Sequence, residues 1–268
     1  MARYRKICVI ARDSKTADKM RSMDLEKSFK GSLISYYVFE PGRKPPPFRC
    51  DLLLAAGGDG TLFYGLMGLY NSSAHVLHVN LGRKGFLAEV ELRDLAKRIK
   101  DLLAGRFLLE RISKISAFAE GKLLGEAVNE VVLAAESFKG VVDVKIEISG
   151  FGSVNMLGSG VLIASPLGST AFSMSAGGPA LDNELKSFVI TPILAKRPWV
   201  PIVVSDSRVI KMKKTGGKER ASLILDGLVE RDLAEGTEVT VKRSKTFANI
   251  VRFNPSYLIR RVKRALTE

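Results

Sequence analysis

Leu52-Leu53-Leu54-Ala55-Ala56-Gly57-Gly58-Asp59-Gly60-Thr61-Leu62-Phe63 is the stretch on which the reading of the chain turns. It opens on a continuous apolar run, the pattern of a strand buried on both faces of a parallel sheet. Two glycines, an aspartate, a third glycine and a threonine follow, and then residues able to begin a helix. Glycines at a strand-to-helix turn let backbone N–H groups approach a ligand without interference from Cβ, and the helix start adds a partial positive charge. That combination suits phosphate. Asp59 does not suit it as a phosphate ligand, because a carboxylate beside a phosphate repels it. There it would take a proton from an attacking hydroxyl, or help hold Mg²⁺. The loop is not a Walker A loop, since the Gly-Lys-Ser/Thr ending is absent. The plainer alternative is an ordinary turn, for which Gly-Asp-Gly is good chemistry.

On the N-terminal side, Lys6–Ala11 reads as a short apolar strand, and Asp13 or Ser14 can cap a helix that Gly31 ends. Ser32–Phe39 reads as a second strand, and the proline-rich loop Pro41–Pro47 delivers the chain to the buried strand. On the C-terminal side, His75–Val79 is another strand. A second glycine-containing loop, Asn80–Glu89, follows it where a ligand crossing from the first loop would be met. Leu92, Leu95, Ala96, Ile99, Leu102 and Leu103 fall at helical spacing, and Gly105 supplies the stop. This order predicts an α/β domain over residues 1–105, a Rossmann-like open sheet with ligands at the carboxyl ends of its strands.

Beyond Gly105 the rhythm changes to short strands separated by turn residues. Arg111–Ala119 and Gly125–Ala134 read as a hairpin around Glu120-Gly121-Lys122. Val141–Ser149, Gly158–Ser165, Trp199–Val204, Val209–Met212, Ala221–Leu225 and Glu238–Arg243 continue the series. A mostly β domain over 106–250 follows from that spacing, so the chain is α+β overall. The tail, 251–268, places Leu258, Val262, Ala265 and Leu266 on one helical face. That face reads first as a helix docking back on the body, and second as a helix lying on a membrane surface.

The 268 residues exceed the usual size of one core, which agrees with two domains. The chain carries 42 Lys+Arg against 28 Asp+Glu, a net charge of +14, which favours anionic partners such as nucleotides. The basic residues are spread along the chain without RNA-recognition or zinc-finger spacing, so the charge makes only a weak case for nucleic acid. No apolar run reaches membrane-spanning length, and we expect neither a membrane anchor nor a signal peptide. Cys8 and Cys50, far apart in sequence, read as buried thiols of a cytoplasmic protein.

Two clusters stand out in the β region. Asn129-Glu130 interrupts an otherwise apolar strand; such a pair needs polar partners or a ligand, unless the strand is an edge in water. Gly158 to Ala180 joins an apolar strand to a Pro-Leu-Gly turn, then to small hydroxyl residues around one aromatic. Ser169, Thr170 and Ser175 can hydrogen-bond base or ribose groups, and Phe172 offers a ring for stacking.

Taken together, Gly57-Gly58-Asp59-Gly60-Thr61, Asn80-Leu81-Gly82-Arg83-Lys84-Gly85-Phe86-Leu87, Asn129-Glu130 and Gly168-Ser169-Thr170-Ala171-Phe172 through Ser175-Ala176-Gly177-Gly178-Pro179 resemble the NAD kinase family. The glycine-aspartate loop alone is shared with diacylglycerol, sphingosine and phosphofructo-kinases, whereas the last segment is far more specific. Asp226-Gly227 resembles a further family element. The resemblance implies a kinase that transfers a phosphoryl group from ATP or polyphosphate to the 2′-hydroxyl of the adenosine ribose of NAD. It also implies a divalent metal, Mg²⁺, carried without a protein ligand set, and a homo-oligomer of two or four copies with its site between the two domains. Asp59 would match the catalytic aspartate. The dinucleotide would fall to Asp59, Gly60, Asn129, Glu130, Ser159, Leu167, Thr170, Ala171, Phe172, Ser173 and Ser175. The ATP phosphates would fall to Gly57, Gly58, Gly60, Thr61 and Arg83. Phe172 stands where the family usually has tyrosine, Ser159 where it has aspartate, Leu167 where it has threonine. Tyr64 and Leu228 replace a frequent arginine and glutamine. A lipid or sugar kinase using the same loop, and a dinucleotide sensor without turnover, are the competing readings.

Overall fold

The computed structural model describes residues 4–81, 87–137 and 140–254. Its elements run β1 (Lys6–Ala11), α1 (Ser14–Ser22), α2 (Leu25–Ser28), β2 (Leu33–Val38), β3 (Leu52–Ala56), α3 (Asp59–Gly68), β4 (His75–Asn80), β5 (Val90–Glu91), α4 (Leu95–Leu103) and β6 (Leu108–Ala119). There follow β7 (Lys122–Ala127), β8 (Glu130–Ala135), β9 (Val142–Ile148), β10 (Gly152–Gly158), β11 (Gly160–Ala164) and α5 (Phe172–Ser175). The chain continues through β12 (Ser187–Ile193), β13 (Ile202–Ser205), β14 (Ile210–Gly216), β15 (Ala221–Leu225), β16 (Val229–Leu233) and β17 (Glu238–Arg252). The chain divides into two compact units, Met1–Ile112 with Thr246–Glu268, and Ser113–Lys245. A C-terminal helix was expected over 251–268. Val251 and Arg252 instead end β17, and from Pro255 on that expectation lies outside the described residues.

In the first unit the parallel strands lie in the order β2-β1-β3-β4. The far edge of β4 pairs with β17 at Asn249 and Ile250, and with β5 at its other end. All five residues of β3 are fully buried, as a strand covered on both faces must be. Side chains alternate along a strand. Ile7, Val9, Leu52, Leu54, Ala56, Leu77 and Val79 therefore gather on one face, under Met20 of α1 and Leu95, Ile99 and Leu102 of α4. On the other face α3 comes so close that a Cβ on Gly65 would sit 3.1–3.2 Å from Leu53 and Ile10. Asp13 caps α1 by accepting from the Thr16 N–H at 2.8 Å. The chain leaves β1 for β2 on one side and returns to β3 on the other. The carboxyl ends of β1 and β3 thus flank a switch point, where open α/β sheets bind ligands.

The second unit is strand-rich. Six antiparallel strands follow the order β13-β12-β11-β8-β15-β16. A second antiparallel set runs β10-β9-β14 and on to the Glu238–Val241 start of β17. The inward side chains of β9 (Val142, Val144, Ile146, Ile148) and of β11 are buried. One strand was expected over Gly125–Ala134, but the ladder stops at Ala127 and resumes at Glu130. The cause is in the next section.

Candidate active site

In the first unit, Gly57 follows β3 directly, and Asp59 is the first residue of α3. The N–H groups of a helix's first turn have no partner within the helix, so they face outward from this end. Gly57 is required by space: a Cβ there would lie 2.3 Å from the Thr61 hydroxyl oxygen. Thr61 is accordingly buried, while a Cβ on Gly58 or Gly60 would meet nothing within 4 Å. Gly58 and Gly60 therefore leave the loop surface open for something to lie close to its backbone. The Asp59 carboxylate is 26% exposed, and its Oδ1 accepts the Leu87 N–H at 3.1 Å. Leu87 is held from its other side. The Arg252 guanidinium donates to its carbonyl at 3.1 Å and pairs with Glu89 and Glu110 at 3.4 and 2.7 Å. Arg83, expected on the phosphates, lies outside the described residues.

In the second unit the decisive group is Asp226. It sits with Gly227 at the corner of the β15–β16 hairpin, with φ of +50° and +66°, a left-handed pair that Asp and Gly tolerate. The Leu228 N–H closes the turn on the Leu225 carbonyl at 2.9 Å. The Asp226 carboxylate turns inward and accepts three backbone N–H groups: Val128 at 2.7 Å, Asn129 at 2.7 Å and Glu130 at 3.1 Å. These N–H groups are thereby withdrawn from any strand ladder, and the break between β7 and β8 falls there. Consecutive strand residues face opposite ways, and the break frees Asn129 and Glu130 from that rule. Ser165 fixes the same segment from below, its hydroxyl donating to the Val128 carbonyl at 2.5 Å and accepting the Gly168 N–H at 3.1 Å. Gly168 must be glycine, since a Cβ would lie 2.1 Å from the Asn129 carbonyl oxygen.

Burial dominates the electrostatics here. It pushes the Asp226 carboxyl up to about 6 against the pull of its three N–H donors and Lys114. Lys114, itself buried beside Glu126 at 3.5 Å, is pushed down by burial. Glu130 is raised to about 8, by burial first and the Asp226 charge second, and its Oε2 has no hydrogen-bond partner among the described residues. The sign of the consequence is fixed. A carboxyl held protonated by the fold adds stability in full below its unfolded value near 4.5, and loses it as pH rises through about 8. Between about pH 6 and about pH 9 the parent should lose about 3 kcal/mol more than Glu130→Gln, at about 1.4 kcal/mol per pH unit. Urea unfolding of both chains across that range checks it; parallel curves would mean that Glu130 is ionised in the fold.

The Gly168–Ala176 segment forms a 3-10 turn and then α5. Thr170 and Ala171 are half-buried, Phe172 is 44% exposed and Ser175 is exposed. Two expected ligand contacts turn inward instead. The Ser173 hydroxyl is buried 2.9 Å from that of Thr191, and the Ser169 hydroxyl is buried, donating to the Pro166 carbonyl and accepting the Leu181 N–H. Leu167 is buried too. Ser159 stands apart from this group. It precedes β11, and five residues of strand, roughly 16 Å, separate it from Ala164, which pairs with Glu130.

The first unit carries a glycine loop with a partly exposed aspartate at a switch point, and the second carries a strand broken at an Asn-Glu pair; both are features of sequence and of fold. The sequence pattern of the ATP-NAD kinase N-terminal domain matches residues 10–107, and that of the ATP-NAD kinase C-terminal domain matches residues 128–253. The chain belongs to the NAD kinase family. An NAD kinase of Methanothermobacter thermautotrophicus is 32% identical over 219 residues, 81% of this chain and 77% of that protein. One from Methanopyrus kandleri is 35% identical over 211 residues, 78% and 75% of the two chains. Among solved structures, an Archaeoglobus fulgidus NAD kinase in complex with ATP superposes with a TM-score of 0.78 at 23% identity, covering 98% of this chain and 99% of that one. A yeast NADH kinase complexed with NADH gives 0.83 at 21% identity, covering 97% and 87%. These structures carry the fold: an α/β unit and a strand-rich unit, as the sequence led us to expect.

Proposed function

We propose that this chain transfers the γ-phosphoryl group of ATP to the 2′-hydroxyl of the adenosine ribose of NAD. The observation that carries the reading is Asp59, a partly exposed carboxylate at the start of a helix whose N–H groups suit phosphate. The backbone of Gly57–Thr61, with Arg83, would hold the triphosphate. Asp59 would accept the hydroxyl proton as the new ribose O–P bond forms and the bond between the β,γ-bridging oxygen and the γ-phosphorus breaks, leaving ADP. Positioning supplies most of the rate in such a transfer. Asn129 and Glu130 would bind the adenosine portion, with Thr170, Ala171 and Ser175 beside it and Phe172 stacked on a planar ring. Mg²⁺ would enter as part of the MgATP substrate and neutralise charge on its phosphate oxygens.

The reading extends to an assembly of two or four copies, for which the exposed Leu194, Val200 and Val203 offer apolar surface. It extends also to the cytoplasm, where the free thiols of Cys8 and Cys50 would stay reduced. Among the described residues no helix is long and apolar enough to cross a membrane. A coupled assay crossing NAD, NADH and diacylglycerol with ATP and polyphosphate tests the function. NADP formation from NAD with ATP is expected. Turnover of the lipid alone would replace the reading with a lipid kinase, and tight NAD binding without turnover on any donor would replace it with a sensor.

A further inference from the structure

Beneath the glycine loop lies a side chain that the mechanism above does not use. His78 is fully buried in β4. Its neighbours Leu77 and Val79 point into the core under α1 and α4, so strand alternation sends His78 to the α3 side. Its Nε2 lies 3.0 Å from the Gly57 carbonyl oxygen. A carbonyl only accepts, so Nε2 carries the proton, and the lone pair of the neutral ring is on Nδ1. That Nδ1 is buried without a hydrogen-bond partner among the described residues, and it lies 3.8 Å from Asp59 Oδ1. Burial holds the ring's proton affinity below its usual value, against the Asp59 charge and the Gly57 and Leu87 backbone, and with some help from Arg252. Two acceptors thus face each other with no proton between them, an arrangement that improves once Asp59 gains one.

We propose that His78 is a positioning residue for Asp59: it tethers the glycine loop through Gly57 and offers Nδ1 as the hydrogen-bond acceptor for the proton that Asp59 takes from the substrate hydroxyl. The inference rests on Asp59 being the base. In the step, the hydroxyl O–H bond breaks, its oxygen bonds phosphorus, and the proton goes to the Asp59 carboxylate. The resulting carboxyl O–H then donates to Nδ1 after a shift of about 1 Å, since such bonds span about 2.7–3 Å. When product leaves, the proton departs through the exposed edge of Asp59. The hydrogen bond exists only after proton transfer begins, so it lowers the barrier without tightening substrate binding.

The two functions of the ring can be separated. In His78→Gln the amide reaches toward the Nε2 position and keeps a donor for Gly57, but nothing accepts beside Asp59. In His78→Asn the shorter amide places an acceptor near the Nδ1 position and gives up the tether. The Gln variant should lose about tenfold in kcat, the scale of one hydrogen bond made only in the transition state, with both KM values within about twofold of the parent. The Asn variant should retain more kcat than the Gln variant even where it melts lower. In an Asp59→Asn background, His78→Gln should cost nothing further. If the Gln variant does not fold, the Asn variant decides, measured against the parent and again in the Asp59→Asn background. Equal loss in the Gln and Asn variants, kcat of the Gln variant unchanged, or an additive loss in the Asp59→Asn background would each make His78 a packing residue and overturn the proposal. A parent with no kinase activity on any donor would overturn the NAD kinase reading and this inference with it, whereas an active parent with an indifferent His78 overturns this inference alone.

Discussion

Asp59→Asn is expected to lower kcat by about 10²–10⁴-fold, the usual loss when a general base is removed. That corresponds to about 3–5 kcal/mol of barrier. The fold should survive the change. The asparagine amide is the same size as the carboxylate, and its oxygen can still accept the Leu87 N–H that Asp59 Oδ1 holds at 3.1 Å. Dinucleotide affinity by calorimetry should therefore stay close to the parent while turnover collapses. A variant that turns over within a few-fold of the parent would mean that Asp59 only shapes the turn, the plainer alternative that its sequence context left open.

The strand-loop-helix at Leu52–Phe63 was legible because its information is local. Five consecutive apolar residues state their burial, and the glycines state that the backbone comes close to something. In the structure β3 is buried throughout and α3 begins at Asp59. The hydroxyl-rich segment was legible only in outline. Ser169, Thr170, Ser173 and Ser175 look alike as letters, and which of them turns inward depends on where a 3-10 turn gives way to four residues of helix. The structure buries Ser169 and Ser173 and leaves Ser175 exposed. Edge and interrupted strands were missed for identifiable reasons. β10 is a largely exposed edge strand without an alternating pattern, and β12 carries Pro192, a residue that ordinarily argues against a central strand. His78 did leave a signal in the sequence, an imidazole in the middle of the apolar run that His75 opens and Asn80 closes. Such a residue buried beside a glycine loop needs a polar partner.

Asp226 left no signal of its purpose, because the groups it serves lie 96 to 98 residues away in sequence. Its removal is the second large effect expected. Asp226→Ala strands the N–H groups of Val128, Asn129 and Glu130, and a buried donor without a partner costs about 1–3 kcal/mol. Three of them set the expected loss at about 3 kcal/mol or more, with the segment free to slide into a strand ladder. That slide would restore strict alternation and turn Asn129 and Glu130 to opposite faces. Dinucleotide affinity should therefore fall further than global stability accounts for, when binding is measured at a temperature where the variant is still folded. Asp226→Asn separates the contributions. Its amide oxygen can keep the Asn129 and Glu130 N–H groups, which now share Oδ1, while its amide nitrogen meets the Val128 N–H as a second donor. The Val128 N–H and the buried amide N–H facing it are then left without an acceptor while two of the three bonds survive, which predicts a smaller cost than alanine, with dinucleotide binding largely kept. If alanine and asparagine cost the same in urea unfolding, the three bonds are not what holds the break open. Lys114 would then be the partner that matters, since both variants deprive it of the Asp226 charge.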